Sequence, residues 1–462
     1  MKVGIMSSSL VPGDAMSNDT VAMYRILKTQ GIETYVFSTY SIIPNLPVHH
    51  PFEAVDLLKN PQDVMIYQHG CGYYNALLVL NELSCRKIVK YHNVTPPQFF
   101  KQDPMAVTYC EEGIKQTYML AKTVPEFWVA SEFSAQEIRG MGHINVSVIP
   151  PFHHIQDLVD SPEDKPLFDR TKFNVVMVGR VVPHKNIEAA LDMIARYKKT
   201  YNKNIRLIVV GSLDQASHIS SLKNQIQRLD IEDEVHLVGK VSTSQLKAIY
   251  KHSDVMLITS HHEGFCVPLI EAMALGLPVI SNTEAALPYT GGDAVIYVNE
   301  YEHQKAADEL YRLHSDHDYA AEYRKKALLR YQSHFTTAII EKQFLELMFF
   351  PSLKQPVSLK SFQYLEPQVK LVQLIHQLET EIDKKRFDKT AFKLSFVGSF
   401  LNIKKIYRRL RFGDEVSQET VKMIKRLLIT QVNDHCEVLS ELQQLKNEIR
   451  ELKEKIISNM PA

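Results

Sequence analysis

Twice along this chain, a series of short apolar runs alternates with helical patterns, and a proline-rich passage separates the two series. The first series is KVGIM (2–6), TYVFS (34–38), DVMIYQ (63–68), KIVKYH (87–92) and EFWVAS (126–131). Between its first two members, SNDTVAMYRILKTQGI reads as a helix capped by Ser17 or Asn18, with Gly31 just past its end. The pattern breaks near residue 149 at IPPFHH. A second series then follows: FNVVMVGR (173–180), IRLIVVG (205–211), EVHLVG (234–239), VMLITS (255–260), PVISN (278–282) and AVIYV (294–298), with a helix expected from about Glu188. Strands alternating with helices specify parallel sheets whose working residues collect at the strand carboxyl ends. The expected fold class is therefore α/β, with two Rossmann-like doubly wound parallel-sheet domains, 1–155 and 170–334, facing a cleft.

Charge narrows the partners. Lysine plus arginine and aspartate plus glutamate are 53 each in 462 residues, so no global field draws this chain to nucleic acid or membrane. Five cysteines at 71, 85, 110, 266 and 436 form neither a disulfide framework nor a C-x-x-C pair, which fits a reducing cytoplasm. The apolar run in MKVGIMSSSL is too short for a signal peptide, and no stretch reaches the length of a spanning helix. A cytoplasmic location is expected. KVGIMSSSLVPGDA lacks G-x-G-x-x-G after the first strand, which argues against a nucleotide-dependent dehydrogenase.

From about residue 354 the pattern changes. A helical, basic extension is expected over 353–430, and 384–411 holds ten Lys or Arg against a single acid, Asp388. Phe396, Phe400, Ile403, Tyr407 and Leu410 fall at helical spacing beside Lys404, Lys405, Arg408 and Arg409. This segment, 384–412, is either a solvated face or a contact with the inner face of the plasma membrane. Val438, Leu442, Leu445, Ile449, Leu452 and Ile456 repeat as heptads, so 431–462 reads as a short coiled coil. Its partner is the same chain, a second copy or another protein.

The chemistry is concentrated in HHEGFCVPLIEAM, residues 261–273. A strand enters a glycine turn and then a helix with Pro268 at its start. The first amides of that helix lack intrahelical partners and carry the positive end of its dipole, which suits a phosphate. Gly264 admits close approach to the backbone. Glu263 and Glu271 stand on either side of this anion site, placed to accept hydroxyls of sugar-like groups. In VGRVVPHKNIE, Arg180 follows a strand end and Lys185 precedes a helix, so two cations can neutralise a diphosphate that gains charge as its bond to a sugar breaks. Together these residues describe a nucleotide-diphosphate sugar.

With the Arg, the Lys, the Glu-x7-Glu spacing and the flanking strands in order, the chain resembles family 4 of the retaining glycosyltransferases, of the GT-B fold. GRVVPHKN, SEFSAQEI…VIPPF and the run from HLVGKVS to PVISN carry the likeness, which covers roughly residues 1–350. The resemblance implies that Glu263 reaches the donor sugar and Glu271 the ribose. It further implies that amides of Phe265, Cys266 and Val267 hold the diphosphate between Arg180 and Lys185, and that Gly239 and Lys240 line the base pocket. Gly13 and Asp14, in a first loop without the commoner paired glycines, would face the phosphates or the acceptor. YHNVTPP at 91–97 is similar to a segment of relatives that build surface polysaccharides; its His92 would face the sugar near the reacting carbon. A helix over about 335–352 would cross back to brace the first domain.

The implied activity is retaining transfer of a hexose, GDP-mannose being the favoured donor, to a growing surface glycan such as a lipopolysaccharide O-chain or to a lipid-linked acceptor. No metal or other cofactor is expected. Each residue also has a plainer reading. Glu271 could serve only the helix dipole, Cys266 is a small buried filler, and His92 is either a sugar contact or a satisfied core residue. His261, His262 and Glu263 invite a metal site, but adjacent strand residues point to opposite faces, which argues against shared ligation. The alternative function is a non-catalytic assembly subunit acting through its coiled coil; it gives no reason to keep Arg180, Lys185, Glu263 and Glu271 together.

Overall fold

Every residue of Val64–His69 is buried, as expected of a parallel strand covered on both faces, and such runs made the strands readable. A computed structural model describes residues 1–101, 103–299 and 301–350. The expected basic extension (353–430), its membrane-contact segment (384–412) and the coiled coil (431–462) lie outside the described residues. The first lobe contains β1 (Lys2–Met6), β2 (Glu33–Phe37), β3 (Val48–His49), β4 (Val64–His69), β5 (Arg86–Tyr91), β6 (Glu126–Val129) and β7 (Val146–Val148). They form one parallel sheet in the order β3-β2-β1-β4-β5-β6-β7. The second lobe contains β8 (Phe173–Val178), β9 (Ile205–Val210), β10 (Val235–Gly239), β11 (Val255–Ile258), β12 (Val279–Ser281) and β13 (Ile296–Tyr297). Its order is β10-β9-β8-β11-β12-β13, again parallel. Both sheets belong to the same compact unit.

In each sheet the winding reverses beside its first strand, between β1 and β4 and between β8 and β11. At such a switch point the connections leave in opposite directions and open a crevice beyond the strand carboxyl ends, where ligands of this architecture bind. Residues just after β8 and β11 are therefore neighbours although far apart in sequence.

The helix after β1 spans Ala15–Thr29, and its cap is Asp14, not Ser17 or Asn18 as the sequence suggested. Asp14 Oδ2 accepts the Ser17 amide at 2.9 Å and the Ser17 hydroxyl at 2.8 Å. The extended Asp14 backbone lets the helix start three or four residues earlier than either expected cap would allow. Asp14→Ala is expected to cost about 1 kcal/mol, measurable as a lower denaturant midpoint at unchanged slope.

The helix Thr337–Phe349 closes on the first lobe. The Phe344 ring meets Trp128 and Phe152 edge-on, with centroids 5.9 and 5.7 Å apart, all three side chains being buried. Arg86 holds Glu126 with two hydrogen bonds and donates two more to the Leu347 and Met348 carbonyls, supplying donors to a helix end that has none of its own.

Candidate active site

Three neighbouring strands of the second lobe, β10, β9 and β8, each end in Val-Gly, at Gly239, Gly211 and Gly179. Gly211 has φ +148°, and a Cβ there would lie 1.8 Å from the Gly179 carbonyl oxygen, so only glycine allows these strand exits to pack together. Sequence reading missed Gly179 and Gly211; the thrice-repeated Val-Gly was the available signal.

Into that crevice point Arg180 and Lys185 from beyond β8 and Glu263 from beyond β11. Gly179, Arg180, Lys185, Ser260, Glu263 and Cys266 line one pocket at the switch point. Lys185 ends the turn Pro183–Lys185, and Asn186, in the left-handed conformation, starts the helix Ile187–Tyr201. The Thr259 hydroxyl lies 3.0 and 2.8 Å from the carbonyls of Lys185 and Asn186, which pins this turn to the end of β11. Lys185 Nζ bonds Glu263 Oε1 at 2.5 Å across 78 residues of sequence. Burial opposes the Lys185 charge, yet Glu263 beside it holds the ammonium above the usual lysine range. Burial likewise favours a protonated Glu263, and Lys185 overrides it, keeping the carboxyl below its ordinary value. Arg180 is exposed at the pocket mouth.

The helix Val267–Ala274 begins one turn before Glu271. Its cap, Cys266, has φ +76°, an uncommon conformation for a residue with a side chain. The bend is held from outside: Thr290 donates to the Phe265 carbonyl at 2.9 Å, and the Ala286 amide to the Glu263 carbonyl at 3.1 Å. The Phe265 ring and the Cys266 thiol are buried, and burial pushes that thiol up, so neither presents a reactive side chain. Val267 supplies the first helical amide and Pro268 has none. Burial raises the Glu271 carboxyl above its ordinary value, partly offset by the Tyr250 hydroxyl, which donates to Glu271 Oε2 at 2.7 Å.

Gly264 also faces the other lobe. A Cβ there would sit 2.4 Å from the His92 carbonyl oxygen of the first lobe, so the missing side chain makes room for the facing domain. The two lobes touch here. Beside this contact, Phe99 and Phe100 of the turn Pro97–Phe100 reach His184, His261 and His262, with centroid distances of 5.8 to 6.4 Å. Burial, then the Lys185 charge, pushes His184 down to about 4, so its ring is uncharged at neutral pH. His261 and His262 do not alternate across a strand as expected, because β11 ends at Ile258 and both rings reach Phe99.

His92 Nε2 is bonded to Gln68 Oε1 and lies 3.4 Å from Asp19 Oδ2, so this ring nitrogen faces the first lobe's interior. Asp19 is fully buried, 3.9 Å from an equally buried Lys90, and accepts the Phe152 amide at 2.7 Å. Sequence reading did not single out this network. Gly13 is exposed beside Asp14, whose carboxylate is committed to its helix. Gly239 and Lys240 sit at the exit of the sheet's outermost strand, and Lys240 is exposed; neither lines the pocket of Arg180 and Lys185.

Residues 160–330 match the family described as Glycosyl transferases group 1. Among curated relatives, the chain is 30% identical over 243 residues to the O-antigen chain mannosyltransferase RfbU of Salmonella typhimurium, covering 49% of this chain and 65% of that protein. It is 29% identical over 175 residues to the MMP alpha-(1->4)-mannosyltransferase of Mycolicibacterium hassiacum (37% and 40%), and 25% identical over 233 residues to the amylovoran biosynthesis glycosyltransferase AmsD of Erwinia amylovora (50% and 62%). The chain thus spans less than two thirds of each relative's length. Among solved structures, Anabaena HepE in complex with UDP and glucose superposes with a TM-score of 0.60 at 18% identity, over 75% of this chain and 99% of that one. A glycosyltransferase from Rickettsia africae superposes with a TM-score of 0.58 at 14% identity, over 75% and 98%. The second lobe is thereby matched to the Glycosyl transferases group 1 family, and the chain has the two-lobed GT-B fold of its structural neighbours.

Proposed function

We propose that this protein is a retaining glycosyltransferase that moves mannose from GDP-mannose to a growing surface glycan or lipid-linked acceptor. The observation that carries the reading is the pocket at the β8/β11 switch point, where Arg180, Lys185, Glu263 and the start of the Glu271 helix converge. The donor's diphosphate lies between the two cations and the amides near Phe265 to Val267, Glu263 takes a sugar hydroxyl, and Glu271 takes the ribose. In a front-face reaction the departing phosphate oxygen accepts the acceptor's proton on the side where the new bond forms. The protein then works by positioning and by stabilising leaving-group charge, with no covalent nucleophile. Mannose is supported by the names of two relatives, both mannosyltransferases, and a surface glycan by the O-antigen and amylovoran relatives.

Incubating the purified chain with a lipid-linked glycan acceptor and GDP-mannose, UDP-glucose or ADP-glucose, with release of the nucleoside diphosphate as readout, tests the proposal. GDP release is expected, and it is expected to survive EDTA because Arg180 and Lys185 supply the countercharge. The cognate nucleotide raises the melting point by mass action, by about 2.7 kcal/mol of stabilisation at a hundredfold its Kd. UDP release in place of GDP would reassign the base, and nucleotide binding without any transfer would favour the assembly-subunit reading. Membrane contact through 384–412 and a protein partner through 431–462 rest on sequence pattern alone.

Among the described residues, no helix is long and apolar enough to cross a membrane.

A further inference from the structure

Tyr250 stands one residue before the end of the helix Thr243–Lys251 and is 1% exposed, so its side chain belongs to the core. Its hydroxyl hydrogen goes to Glu271 Oε2 at 2.7 Å; the Pro268 carbonyl, at 3.5 Å, is a weaker alternative. A phenol carries a single hydrogen, and a carboxylate offers acceptor sites on two oxygens. The ring is fixed by burial between its own helix and Val267–Ala274 in the second lobe's core, so the hydroxyl holds a constant position. The Glu271 side chain is thereby tied at one oxygen, and its orientation about its last torsion, otherwise loose, is set.

We infer that Tyr250 is a positioning residue: its hydroxyl occupies one oxygen of Glu271 and leaves the other turned to accept the ribose hydroxyls of the donor nucleotide. This rests on the proposed ribose role of Glu271. Nothing in the motif containing Glu271 announces the tyrosine, which arrives from the preceding helix 21 residues upstream. The contact also works against burial, which pushes the Glu271 carboxyl up, because the phenol favours the ionised form. An acceptor held ready before the ligand arrives binds more tightly, because its ordering cost is already met by the fold.

Calorimetric titration of the full chain, wild type and Tyr250→Phe, with GDP, UDP and their 2′,3′-dideoxy counterparts tests this. Phenylalanine keeps the ring and its packing and removes only the hydroxyl. The variant is expected to bind the preferred ribonucleoside diphosphate about tenfold more weakly and its dideoxy counterpart within about twofold of wild type. A merely structural tyrosine would weaken both ligands alike, and that result, or no loss on either, overturns the inference. Should wild type hold the dideoxy form as tightly as the ribose form, the ribose role of Glu271 falls, and the positioning role falls with it. The wild-type discrimination therefore separates failure of the underlying reading from failure of the inference.

Discussion

Lys185→Ala is expected to lower kcat by about 10²- to 10³-fold, the loss of one preorganised charge at a developing anion, or about 2.7–4 kcal/mol of barrier. Arg180→Ala is expected to do the same, but the two variants should differ in stability. Arg180 is exposed at the pocket mouth, so its removal should leave the melting point nearly unchanged. Lys185 and Glu263 are 19% and 11% exposed, and removing the lysine strands a buried carboxylate. The double variant Lys185→Ala, Glu263→Gln should therefore regain stability without regaining turnover. Stability against pH gives an independent check. Glu263 is held below the ordinary carboxyl range, so its share of the pair's contribution is complete above the unfolded value near 4.3 and disappears as pH falls through the lower folded one. Lys185 is held above the ordinary lysine range, so its share is complete below about 10.4 and disappears as pH rises through the higher folded value. The stability difference between wild type and the double variant should be flat between these limits and shrink beyond either. Wild-type turnover in Lys185→Ala would remove the clamp from the mechanism.

The pairing of Lys185 with Glu263 shows what a sequence of this kind makes legible. Neither residue is informative alone, but each follows a run that reads as a buried strand, and a doubly wound order sets β8 beside β11. Strand identity was readable because β4, β8 and β9 are nearly continuous apolar runs. It failed at β3, whose two residues Val48 and His49 carry no pattern and depend on pairing with Val36 and Phe37. The helix cap was misplaced because Asp14, Ser17 and Asn18 are all good caps, and the backbone between β1 and Ala15 decides among them. Lys90 illustrates a deeper limit. In KIVKYH it looks like a polar break, whereas its ammonium is fully buried and finds Asp19 and the carbonyls of Ile149 and Pro150. Partners for Lys90, for His92 and for Glu271 come from other elements, so the local sequence of each is silent about them.

Gly264→Ala should separate the lobes' contribution from that of the pocket. The added methyl would meet the His92 carbonyl at 2.4 Å and Asn93 Cβ at 3.0 Å, with backbone rather than a flexible side chain in the way. Asn93 has φ +72°, and its amide donates to Ser134 and Glu137 at 3.2 and 3.1 Å, so the loop that carries the carbonyl is itself held and yields poorly. The strain is then relieved by moving the two loops apart, and the gap falls between Glu263 on one side and His92 on the other. A displacement near 1 Å at a reacting centre costs about 10²-fold in rate, so kcat/KM should fall by about that factor. Stability should scarcely change, because the clash lies between lobes and leaves both cores intact. Gly140→Ala is the matched control: its Cβ would meet nothing within 4 Å, and it should retain full activity. Nucleoside diphosphate binding separates two explanations of a low rate. If Gly264→Ala binds GDP as wild type does and transfers slowly, the second lobe alone holds the nucleotide and contact with the first lobe completes the site. If its rate matches wild type, the close approach of His92 to Gly264 has no part in turnover, and the working geometry of the cleft is more open than this one.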